Sequence, residues 1–212
     1  MLLDAIAHAS SDVAATRSRL AKTALLAECL GGASSDEVAV AVAYLSGYLP
    51  QGTIGVGWAA LRDLPPAATS PTLEVLEVHE AVSRIAAIAG PGSQAARREA
   101  LASLYGRATA AEQSFLTGLL LGELRQGALE GVMVEAVAKA ARLPAAEVRR
   151  AVMVAGDLGA VAAAAIVEGA QGLREFRLTV LRPVQPMLAQ TGDDLEDALA
   201  RIHPARIEWK LD

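Results

Sequence analysis

The sequence has 212 residues, of which 53% are hydrophobic, 20% charged and only 3% aromatic. That length and apolar content allow one large or two small domains with an ample core, so the chain should fold. Its formal net charge of −5 argues against a nucleic-acid partner, because phosphate binding draws its affinity from lysine and arginine displacing counterions, unless the arginines gather on one face.

Alanine and leucine dominate where aromatic residues are scarce, which predicts an all-α, multi-helix fold: small and straight-chain residues lose little entropy in helices, whereas aromatic and β-branched ones favour strands. Residues 12–30 hold no glycine or proline, with Ser11 as cap and Gly31 and Gly32 as stop, and are expected to be one helix. Leu20, Ala24, Ala27 and Leu30 would form its core stripe. Ser34 and Glu37 form a capping box for a second helix ending near Pro50. Residues 51–58 carry Gly52, Gly55 and Gly57, too many for a helix interior, and lead into a short helix up to Asp63. Pro65, Pro66 and Pro71 make residues 64–72 a loop, read as the boundary between two helical subdomains.

A helix is expected over residues 78–89, with Val78, Val82 and Ile85 on one face, ended by Gly90, Pro91 and Gly92. Ser93 would cap the next, over residues 94–105, and Thr109 with Glu112 makes a capping box for residues 110–121. Residues 129–141 follow, then a helix to Ala155 with Pro144 in its first turn. Gly156 breaks that helix, and Asp157 caps another that ends at Gly169. From Phe176 the alternation of Phe176, Leu178 and Val180 predicts an extended segment. A short helix over 193–202 and a strand over 207–211 complete the chain. No repeat of fixed period is visible.

Three helix junctions have the chemistry of an anion site. Gly90, Gly92 and Ser93 stand at a helix start with Arg97 and Arg98 one turn on. Glycine lets a backbone approach a ligand, free amides at a helix start point at anions, and arginine adds charge. Arg125 and Gly127 stand in a second junction, where an arginine could fork onto a phosphate. Gly156 and Gly159 flank a third. An ordinary turn between helices explains each equally well. Arg17, Arg19 and Lys22 form a further basic group, and Arg149 and Arg150 another.

Other chemistries find little support. His8, His79 and His203 show no ligand spacing, so no metal site is expected, and no P-loop, dinucleotide-binding or nucleophile-elbow pattern occurs. The single cysteine, Cys29, forbids an internal disulfide and suits a reducing compartment. The first residues, with Asp4 and no basic stretch, do not resemble a signal peptide. The longest apolar run, 160–167, is far below the roughly 20 residues of a membrane helix. A cytoplasmic protein is expected.

Taken in order, GPGSQAARREAL, GELRQGALEGVMVEAVAKA, RPVQPMLAQ and IEWKLD resemble the ATP-dependent DNA ligases, in particular the actinobacterial ligase B type. The stretches DVAATRSRLAKTALLAECL and LPQGTIGVGWAAL fit the amino-terminal half of that family as well. The last five residues resemble its K-x-D-G adenylation motif without the glycine, so the sequence is expected to be part of a longer protein.

The resemblance implies a helical DNA-binding domain over residues 1–181 and, over 182–212, a linker and the start of a nucleotidyltransferase domain. It implies that Lys210 carries AMP in the parent enzyme and that Glu208 contacts adenine, with ATP and Mg2+ needed by the parent and no cofactor by this part. The partners implied are nicked double-stranded DNA and the remaining catalytic domains of the same chain, in a nucleoid-associated monomer. Arg17, Arg19, Gly90, Gly92, Ser93, Arg97, Arg98, Arg125, Gly127, Gly156 and Gly159 would contact DNA without sequence preference, through the minor groove and phosphates. The parent would act in DNA repair, replication and recombination. An all-α protein-interaction module without nucleic-acid binding is the competing expectation.

Overall fold

The structure, a computed structural model, describes residues 1–124, 130–181, 183–184 and 195–201. Its helices are α1 (Leu3–Ala15), α2 (Arg19–Gly31), α3 (Val38–Leu45), α4 (Val75–Ala87), α5 (Ser93–Tyr105), α6 (Ala110–Leu121), α7 (Glu130–Ala141), α8 (Ala145–Ala155), α9 (Leu158–Glu168), α10 (Ala170–Arg174) and α11 (Leu195–Arg201), with a 3-10 turn at Trp58–Leu61. Among the described residues there is no strand, only two isolated bridges. The expected all-α fold is therefore what the chain adopts.

The helix expected over residues 12–30 is in fact two. Thr16 and Ser18 are extended, and their hydroxyls take over backbone donors: Thr16 Oγ1 accepts from the Ser18 amide at 3.2 Å, and Ser18 Oγ from the Ala21 amide at 3.3 Å. Such local bonds compete with helical ones and favour a helix start. The new start turns the buried face to Thr23, Leu26, Ala27 and Leu30, and Leu20, expected in the stripe, is 81% exposed.

Ser34 and Glu37 make only half of the expected capping box. The Glu37 carboxylate accepts from the Ser34 amide and hydroxyl, both at 2.8 Å, but the Ser34 hydroxyl donates and so caps nothing. α3 then stops at Leu45, short of Pro50, because Gly47 turns to φ +79°. All its residues except Ala39 are buried, which makes α3 the central helix.

The helices sort into two groups. α2 packs on α7, α3 on α9, and α8 and α10 complete this group with α1. α5 packs on α4 and on the 3-10 turn, while α1 meets α6 and α3 meets α4 across the divide. Residues 64–72 do not form the boundary. Ala68 donates to the Ala108 carbonyl at 2.8 Å and Gln113 Nε2 to the Pro65 carbonyl at 3.2 Å, so this loop packs within the second group. The chain instead crosses between groups in residues 46–57 and again after α6. Buried side chains from both groups form one continuous core.

Elsewhere the punctuation is as expected. Val78, Val82 and Ile85 are buried on α4, although that helix starts three residues early. Thr109 and Glu112 complete a reciprocal capping box, and Asp157 Oδ1 caps α9 through the Ala160 amide at 3.0 Å. Ser93 is not a cap: Gly92, at φ +81°, holds that position and Ser93 is the first helical residue. After α10 residues 176–179 form no regular element and 180–181 turn, with Leu181 at φ +67°; Arg150 donates to the Leu173 and Phe176 carbonyls at 3.1 and 3.3 Å. The short helix expected over 193–202 is α11, and the strand expected over 207–211 lies outside the described residues.

Candidate functional site

The crossing loop, residues 46–57, is shaped by its glycines. Gly47, Gly52 and Gly55 all have positive φ, which other residues adopt only with strain. Gln51 ties the loop to α4, its Nε2 donating to Ser83 Oγ at 2.8 Å and to the His79 carbonyl at 3.2 Å. At its end, Trp58 Nε1 donates to Glu123 Oε1 at 3.3 Å, just past α6. Between loop and α6 lies a cleft of about 590 Å³, lined by Tyr48, Ile54, Trp58, Leu120 and Glu123 among others. Tyr48 and Trp58 are 52% and 63% exposed.

Two of the three junctions singled out in the sequence adjoin this loop. At the first, Gly90 and Gly92 have φ of +85° and +81°, with open space where a side chain would stand. Arg97 does not point into that space. Its Nη2 donates to the Ile88 carbonyl, and its Nη1 lies 3.2 Å from where a Cβ on Gly55 would be. The guanidinium thus bridges the junction and the crossing loop, and its buried Nε has no partner. Arg98 beside it is exposed and makes no hydrogen bond or ion pair among the described residues.

At the second junction Gly122, at φ +69°, closes α6 with open space over it. Leu124 then seats on the crossing loop, its carbonyl 3.3 Å from a Cβ built on Gly47. Arg125 and Gly127 follow directly and lie outside the described residues, as do Glu208 and Lys210. At the third, Gly156 has φ +68° and open space. Burial, and then the carboxylate of its neighbour Asp157, push the Tyr48 phenol up.

Gly159 has a different role. It is buried, and a Cβ there would stand 3.3 Å from the Ala39 carbonyl, so it lets α9 lie close on α3 and is turned away from any ligand. Arg19 is also engaged: Nε and Nη2 donate to the two Glu135 oxygens at 3.1 and 2.8 Å. Arg17, in the break between α1 and α2, is exposed without a partner among the described residues. Gly90, Gly92, Arg97 and Gly122 are thus brought to one loop, while among the described residues no contact brings Gly156 or Gly159 to it.

Sequence reasoning missed that loop. Its glycines read only as a helix breaker, and the available signal was an aromatic residue at each end of the glycine run, Tyr48 and Trp58. Among the described residues no three metal-ligating side chains come together, and no helix is long and apolar enough to cross a membrane. Burial, and then Glu28, push the Cys29 thiol up to about 11, so it is an unreactive core group.

The chain is similar over residues 59–138 to the family described as DNA ligase N terminus. Over its whole length it is 57% identical to a probable DNA ligase of Mycolicibacterium gilvum, 56% to one of Anaeromyxobacter dehalogenans and 50% to one of Streptomyces griseus. It spans 42% of the length of each.

Proposed function

We propose that this chain is the DNA-binding part of an ATP-dependent DNA ligase and holds nicked duplex without sequence preference. The observation that carries the reading is the meeting of two junctions, each with a positive-φ glycine under open space, at the crossing loop, through Arg97 on Gly55 and Leu124 on Gly47. Backbone amides at such turns bind phosphate without adding formal charge, which reconciles an anionic partner with a chain of net charge −5. Exposed Arg17 and Arg98 add charge, and Arg125 is proposed from the sequence as a further contact. Phosphates and minor-groove edges carry little sequence information, so the grip is non-specific.

The whole enzyme would attach AMP from ATP to Lys210, pass it to the 5′-phosphate at a nick, and release it as the 3′-hydroxyl attacks. Glu208 would contact adenine, and Mg2+ would offset phosphate charge and help keep the attacking amine unprotonated. Those steps need catalytic domains beyond residues 1–181. We place the parent among the enzymes of DNA repair, replication and recombination, as a cytoplasmic, nucleoid-associated monomer.

The test is binding of the chain to labelled nicked duplexes of two unrelated sequences across a salt series. Equal affinity for both, with its logarithm falling linearly with log salt, is the expected result. No binding at low salt, or binding indifferent to salt, would favour a protein-interaction module.

A further inference from the structure

The Arg19–Glu135 contact has a shape that matters beyond the fold. A guanidinium fork on two oxygens of one anion is the geometry in which arginine takes phosphate. The pair is open to water, with the Arg19 side chain 59% and the Glu135 side chain 29% exposed, and so contributes little to stability. Arg149, on the adjoining α8, exerts its positive field on the same carboxylate. It makes no hydrogen bond among the described residues. Two arginines therefore bear on one carboxylate at the surface.

We infer that Glu135 sits in a backbone-phosphate site formed by Arg19 and Arg149, and that DNA displaces it. The inference rests on the DNA-binding reading above and extends it to a second contact region. That region is within reach of the same duplex. Leu124 lies against Gly47 in the crossing loop, and Gly131 against Arg19. Seven residues separate them, which span at most about 25 Å fully extended, less than the roughly 34 Å of one duplex turn. Exposed Arg17, two residues before Arg19, stands ready to add a further contact. Glu135 then acts as a brake: every phosphate that enters must first replace an internal anion, which keeps non-specific affinity low and release fast.

The experiment measures affinity for a labelled nicked duplex against salt, using the chain itself and four variants, with melting curves alongside. Glu135→Gln should tighten binding about threefold to fivefold, the worth of an exposed pair expressed as a ratio. That gain should vanish in Arg19→Ala/Glu135→Gln. Glu77→Gln removes the same charge from another exposed two-bond pair, with Arg107, and should give a clearly smaller change. Arg149→Ala, which breaks no hydrogen bond of the fold, should weaken binding and lower the salt slope by about 0.9, one phosphate's share.

Equal gains from Glu135→Gln and Glu77→Gln, or no gain from the former, overturn the inference, as does an Arg149→Ala slope equal to that of the parent chain. If Glu135→Gln fails to fold, Arg149→Ala decides alone. Absence of binding by the unaltered chain would instead sink the DNA-binding reading itself.

Discussion

Arg97 and Arg98 are adjacent, identical in chemistry and opposite in fate. The helical step of 100° per residue sends one guanidinium back over Gly55 and onto the Ile88 carbonyl, and leaves the other in water. Removing Arg97 leaves a carbonyl without its donor and a gap against the crossing loop. Arg97→Ala should cost about 1–3 kcal/mol of stability, read by urea denaturation. Arg98→Ala should stay within about 0.5 kcal/mol and instead lower the salt slope of duplex binding by about 0.9. The reverse pattern would show that the outer arginine holds the fold and the inner one the ligand. The sequence revealed that two arginines follow a glycine turn. It could not tell them apart, because the carbonyl that selects Arg97 lies across that turn and the glycine beneath it lies in another segment.

Among the elements, helix beginnings held by a complete local cap were legible, and endings without a glycine or proline marker were not. Thr109 with Glu112 and Asp157 with Ala160 are local devices, complete within four residues, and they stand as the sequence implied. The break at residues 16–18 is local as well, yet no glycine or proline marks it; two hydroxyls do the work that a breaker would. Ser34 failed as a cap because its hydroxyl donates to the Glu37 carboxylate rather than accepting a backbone amide. Packing between distant helices was not legible at all. Gly159 read as part of a ligand-facing turn, whereas it is the point where α9 meets the backbone of α3. Gly159→Ala should therefore destabilise the chain by about 1–3 kcal/mol through overpacking, seen as a lowered urea midpoint. An unchanged midpoint would mean that the two helices have room to part, and would return Gly159 to the list of possible contact residues.

At the scale of the molecule, the chain passes from one helix group to the other and back, and both passages meet where Leu124 rests on Gly47. The cleft there is lined by the crossing loop and the end of α6, so the second junction stands on it, while the first reaches the loop through Arg97 on Gly55. Composition alone pointed away from nucleic acid. Backbone amides, to which much of the recognition is assigned, bind phosphate without formal charge and so meet that objection. The central claim, that these junctions act as one DNA-facing side, is tested most directly by hydrogen–deuterium exchange with and without nicked duplex at low salt. The account predicts slowed exchange together at residues 46–57, 90–93, 122–124 and 156–157, with the α3–α9 contact at Gly159 unaltered. Protection confined to a single junction, or absent from residues 46–57, would contradict it.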